Sequence, residues 1–158
     1  MSWNSLVKPT YRRSIALIRK PAAHGTAWLA RWDDGQQYYD FVMAEPLEDE
    51  SFRECIDREV GWVLRLDRQR DYLVANMARL NLEFQARLPG HSEPAQVTAV
   101  FYAVDLYRKA AWHQVDADPL NRWLSSKEIC RGKTGDGQRI NPLVTFLIRR
   151  SEVIQPWE

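Results

Sequence analysis

Acidic residues crowd the stretch Ala44 to Leu66, AEPLEDESFRECIDREVGWVLRL: Glu45, Glu48, Asp49, Glu50 and Glu54 fall within ten residues, and Glu59 follows. Carboxylates at this density suggest a divalent cation, since magnesium takes hard oxygen ligands, usually one or two carboxylates completed by water and phosphate. Spacing decides whether they converge. Glu50 and Glu54 are four apart, but Glu59 comes five later, about 140° around a helix from Glu54, so the three converge poorly as a cage. The crowding has a second account, because negative charge is favoured at a helix N-terminus. Glu59 makes the stronger demand. It stands four residues after Cys55 and three after Ile56, beside an apolar stripe, where an unpaired carboxylate is costly to bury. It needs a metal, an arginine or water.

The same stretch resembles the Nudix box, G-x5-E-x7-R-E-U-x-E-E-x-G-U with U apolar, found in hydrolases of nucleoside-diphosphate-linked substrates. Glu50 matches the first acid, Arg58 and Glu59 the arginine-glutamate pair, Val60 the apolar residue after it and Leu66 the closing one. Ala44 and Arg65 stand where the box has glycines, and Trp62 and Val63 where it has two glutamates. Acids at 59, 62 and 63 would share one helix face and converge on an ion; an indole and an isopropyl group coordinate nothing. The resemblance extends over roughly Tyr11 to Arg150. YRRSIALIRK, TAWLARWDDG and QQYYDFVM resemble the family's opening strands, DFVMAEPLEDES the run into the box, Asn121 to Ile129 its tryptophan-serine-glutamate segment, and Asn141 to Arg150 its final helix.

The resemblance implies a mixed sheet with helices on both faces, an α/β/α sandwich of the α+β class. It implies Glu59, Arg58 and Glu50 as catalytic residues and Glu59 as a weak metal ligand, with Glu50 and Glu54 as possible helpers. With most of the ligand set replaced, the reading it favours is a domain that binds a nucleotide-related ligand or a protein partner, a second copy included, with little or no hydrolysis. Trp62, with Glu54, would then serve the ligand, the indole by stacking. The alternative is a working hydrolase, with Mg2+ or Mn2+ held by Glu59 and replacements drawn from Glu50, Glu54, Glu83 or Asp105. A third reading, RNA binding, is similar to that of some Nudix-like proteins with defective boxes and would require aromatics flanked by Arg12, Arg13, Lys20 and Arg31.

Composition narrows the field. The chain has 158 residues, 45% hydrophobic and 27% charged, with a net charge of +1, enough for one domain with one core. The general basic field behind non-specific nucleic-acid binding is missing. The start MSWNSLVKPTYRRS lacks a leader's apolar core, and no apolar run reaches the roughly 18 residues of a membrane span, so the expected setting is cytoplasmic, without a membrane partner. Cys55 and Cys130 belong to no metal or redox motif and are expected reduced, Cys55 in the core. His24, His91 and His113 are isolated, and GKTGDG lacks the first glycine of a phosphate loop, Lys127 standing there. Most of the seven tryptophans are expected in the core.

The elements that must position these residues are legible in part. Ile15 to Lys20 and Ala27 to Trp32 read as strands separated by turn residues, and Tyr38 to Val42 continues the pattern. Ser51 and Glu54 form a capping box opening a helix with Phe52, Cys55, Ile56, Val60 and Val63 on one side and a Glu54–Arg58 pair on the other. Leu80 to Leu88 alternates as a strand with one wet face, and Val97 to Val104 is apolar on nearly every residue, as in a central strand covered on both sides. Asp116 to Asn121 reads as a polar loop, Ser125 and Glu128 as a second capping box, and GKTGDGQ as a flexible connector. Asn141-Pro142 opens a last helix, with Pro156 as a stop.

Overall fold

The run that the sequence marks as buried on both sides is the axis of the fold. In a computed structural model, which describes residues 8–158, strand β7 (Pro94–Leu106) pairs parallel with β1 (Thr10–Ala22), from Thr10↔Gln96 to Ile18↔Val104. Its odd positions Val97, Ala99 and Phe101 enter one hydrophobic cluster and its even positions Val100, Tyr102 and Val104 the other. The two-residue period therefore serves two cores at once. Trp3 and the rest of the opening MSWNSLV lie outside the described residues.

Further strands flank this pair. Strand β1 turns into a hairpin with β2 (Gly25–Asp33), and β2 carries β3 (Tyr38–Asp40) and β8 (Asn121–Ser125). The short β4 (Met43–Ala44) pairs with β1, while β5 (Tyr72–Val74) and β6 (Leu80–Arg87) pair antiparallel with β7. Helix α1 (Phe52–Leu64) packs through Ile56, Val60 and Leu64, together with Ala111 and Val115 of α2 (Lys109–Ala117), on one cluster. Ile129 of α3 (Ser126–Arg131) and Val144, Leu147 and Ile148 of α4 (Pro142–Ser151) fill the other. Burial of each of the valine, leucine and isoleucine side chains contributes roughly 1.5–3 kcal/mol. The expected mixed sheet between helical layers is the architecture observed.

Both capping boxes form completely, at Ser51/Glu54 and at Ser125/Glu128. The expected strand Tyr38 to Val42 is instead broken after Asp40, where the Phe41 N–H donates to the Asp40 side chain at 2.9 Å rather than to a neighbouring strand. Asp116 and Ala117 belong to the end of α2, not to a loop. The connector GKTGDGQ is a hydrogen-bonded turn: the Gly135 N–H donates to Glu128 Oε2 at 2.7 Å, and Thr134 and Gln138 exchange two further bonds. Pro156 does not stop α4, which ends at Ser151 with Glu152 in the left-handed region.

Position 65 carries a check on register. Arg65 is the C-cap of α1 at φ 57°, ψ 46°, a left-handed conformation that glycine adopts without strain, and the box reserves this position for glycine. A side chain there costs roughly 1 kcal/mol. Arg65→Gly is therefore expected to raise the thermal midpoint by about 2–4 °C in a melting experiment; a fall would mean that contacts of the arginine outweigh its backbone strain.

Candidate functional site

The loop before α1 and the helix itself form one ionic unit. Ser51 Oγ accepts from Glu54 N–H and Glu54 Oε1 from Ser51 N–H, so the Glu54 carboxylate is committed to the cap. Arg58 does not pair with Glu54 as expected. Its Nε and Nη2 donate to the two oxygens of Glu50 at 2.9 and 3.0 Å, and its Nη1 donates to Glu59 Oε2 at 3.2 Å. Glu50 also accepts the Leu47 N–H at 3.0 Å, which ties the acidic loop to the helix. The partner that Glu59 required is an arginine.

These bonds shift titration. The Arg58 guanidinium, helped by the Leu47 N–H, holds the Glu50 carboxyl down at about 2, and Arg58 is in turn pushed up. Glu50 therefore favours the folded state fully above its ordinary carboxylate range and loses that contribution as pH falls towards 2. Urea unfolding at stepped pH is expected to show wild type losing stability between about pH 4.5 and 2. Glu50→Gln should be less stable at neutral pH and converge on wild type at the acid end; parallel curves would contradict this role. Cys55 lies fully buried beside this unit, its thiol pushed up to about 11, chiefly by burial. Both cysteines are free.

The box face of α1 is then defined by what stands at 62 and 63. Trp62 is 80% exposed, while Val63 is half-buried and lines two adjoining cavities. The first, of about 360 Å³, is walled by Arg31, Trp32, Asp33, Asp34 and the segment Asp40–Met43. The second, of about 600 Å³, is lined by Arg31, Gly61, Trp62, Arg65 and Leu66. Arg31 is held in place by Asp118 at 2.7 Å and Asn121 at 2.9 Å. Asp40 accepts from Asn141 Nδ2 at 3.2 Å and Phe41 N–H at 2.9 Å, yet burial still pushes its carboxyl above the usual range. Gly61 allows α1 to approach β5, since a Cβ there would stand 2.8 Å from the Tyr72 hydroxyl.

The donor set does not fit a magnesium or manganese centre. Glu50 is engaged by Arg58 and Glu54 by the cap; Asp105 lies on β7 against Arg19 at 3.4 Å, and Glu83 is on β6 opposite Thr98. Among the described residues no group of three or more His, Cys, Asp or Glu side chains is arranged to hold a metal. The cations named for RNA binding each have an intramolecular partner: Arg12 lies over Phe52, Arg13 over Tyr11 and Lys20 over Trp123, and Arg31 pairs with Asp118. His24, His91 and His113 are exposed. No helix of the described residues is long and apolar enough to cross a membrane.

Sequence reading missed Arg65, Asp33 and Asp40 as cavity walls, and assigned Arg31 only to the RNA alternative. A non-glycine at the closing glycine position was the available signal for Arg65. Nothing in the local pattern marks Asp33 or Asp40, which reach the site through sheet pairing between β2 and β3.

Comparison with solved structures shows the fold. The chain is similar to a Nudix hydrolase from M. smegmatis, RenU, at 15% identity over 97% of this chain and 92% of that one, with a TM-score of 0.55. A mutT/nudix family protein from Listeria innocua gives 12% identity, 91% and 92% coverage and a TM-score of 0.58. NrtR from Shewanella oneidensis gives 10% identity over 89% of this chain and 61% of that one, with a TM-score of 0.59, and NrtR has also been solved with a 27mer DNA. No family model matches the sequence, and no curated protein does. The chain has a Nudix-like fold, one shared by hydrolases and by NrtR.

Proposed function

We propose that this Nudix-fold chain is a binding protein for a nucleotide-related ligand, with little or no pyrophosphate hydrolysis. The observation that carries the reading is the α1 face, where an exposed indole and a valine stand beside Glu59 and the remaining box carboxylate, Glu50, is engaged by Arg58. Trp62 offers a flat surface for a base. Arg65 lines the cleft beside it and supplies charge for phosphate oxygens, with Arg31 held in the same wall by Asp118. This combination supports a nucleotide over a protein partner, for which a broad apolar surface would be the expected sign. Free thiols suit a cytoplasmic setting.

Calorimetry of the purified chain with a panel of nucleoside diphosphates and nucleoside-diphosphate sugars, in excess chelator, tests the proposal. Saturable binding of at least one member without added metal, weakened in Trp62→Ala, is expected. Binding that appears only with Mg2+ or Mn2+ and disappears in Glu59→Gln would instead support the hydrolase reading.

A further inference from the structure

We propose that the sheet face opposite α1 carries a second site, for the di- or polyphosphate group of a small molecule, between the end of α3 and the flank of α4. A cavity of about 630 Å³ there is lined by Arg131, Arg139, Arg149 and Arg150 around a wall that includes Phe146 and Thr145. Four arginines lining one cavity concentrate positive charge in a chain whose net charge is only +1, and among the described residues none of the four pairs with a carboxylate. An anion of high charge balances that charge and accepts the planar donors that arginine presents. The size lies within the range of small-molecule sites.

A second, independent observation points into the same cavity. Thr145 is 7% exposed, and its Oγ1 is the one buried side-chain polar atom without a hydrogen-bond partner among the described residues. Such an orphan is costly and calls for a reason. Gly132, left-handed at φ 81°, stands against it: a Cβ there would approach Thr145 Oγ1 to 3.1 Å. Thr145 is thus a lining residue of the cavity whose hydroxyl donor is unspent. Arg149 sets the floor, donating to the carbonyl oxygens of Cys130 and of Arg131 (3.0 Å for the latter), and Arg150 lies over the Phe84 ring at 4.3 Å. Arg139 and Arg150 are therefore the variants to choose, because Arg149 also holds the end of α3.

Calorimetry of the full chain with inorganic pyrophosphate, and separately with ADP, at low ionic strength tests this site. Pyrophosphate should bind, and Arg139→Gln and Arg150→Gln should each weaken it by about tenfold. Thr145→Val should weaken it several-fold while raising the thermal midpoint of the free protein by about 2–4 °C, a pair of opposite signs that a merely structural threonine does not give. Neither Arg139 nor Arg150 lines the clefts of the α1 face, so loss of pyrophosphate affinity in these variants assigns the binding to this site, and Trp62→Ala removes the base platform of the other. In that background, ADP binding more tightly than pyrophosphate assigns the apolar wall to a nucleoside, and equal affinity assigns the site to the phosphates alone; either supports the proposal. Absence of pyrophosphate binding, or binding indifferent to Arg139, Arg150 and Thr145, overturns it.

Discussion

Replacing Trp62 by alanine is expected to weaken nucleotide binding by roughly 5- to 150-fold while leaving the thermal midpoint nearly unchanged. Stacking of a base on an aromatic side chain is worth about 1–3 kcal/mol, which sets that range. The indole is 80% exposed, so the folded state loses little when it is removed, and surface substitutions usually stay within about 0.5 kcal/mol. Trp62→Phe should keep most of the affinity because the flat surface survives. A side chain that only decorates the helix would give three proteins with the same Kd in the calorimeter.

The second large effect comes from restoring what the box lacks. Trp62→Glu with Val63→Glu would place carboxylates three and four residues after Glu59, on one face within a turn. Without metal the double variant should be destabilised, since three like charges meet on a face already near Asp33, Asp34 and Asp40. Added Mn2+ binds the folded form and raises its midpoint by mass action; each tenfold excess over Kd adds about 1.4 kcal/mol, or several degrees for a chain of this size. Wild type should show no comparable shift, and adding Glu59→Gln to the double variant should abolish it. Equal shifts in wild type and variant would mean that a metal site already exists elsewhere in the chain.

Much of the scaffold around this face is legible in the sequence because it rests on short-range physics. Ser51/Glu54 and Ser125/Glu128 satisfy helix N-termini with their own side chains, and both close as the spacing predicts. The continuous apolar run in β7 reports burial on two faces directly. Helix α2 gave no such signal: Arg108 caps it without a side-chain bond, and only Ala111 and Val115 are buried. Strand β5 has three residues, too few to show a period. The pairing of Arg58 with Glu50 rather than Glu54 depends on the loop folding back against the helix, which residue spacing along a helix does not encode. Arg65 was visible as a departure from a glycine, yet its left-handed backbone and its place beside Trp62 needed the structure.

Trp62 and Val63 stand at the positions from which carboxylates of the box would grip a divalent cation, and Glu59 has an arginine as its partner. Turnover is the most direct test: purified wild type and Glu59→Gln are incubated with nucleoside-diphosphate derivatives in Mg2+ and in Mn2+, and released phosphate-bearing products are quantified. Little or no release above the protein-free control is expected, and no difference between the two proteins. Metal-dependent hydrolysis by wild type that vanishes in Glu59→Gln would contradict it.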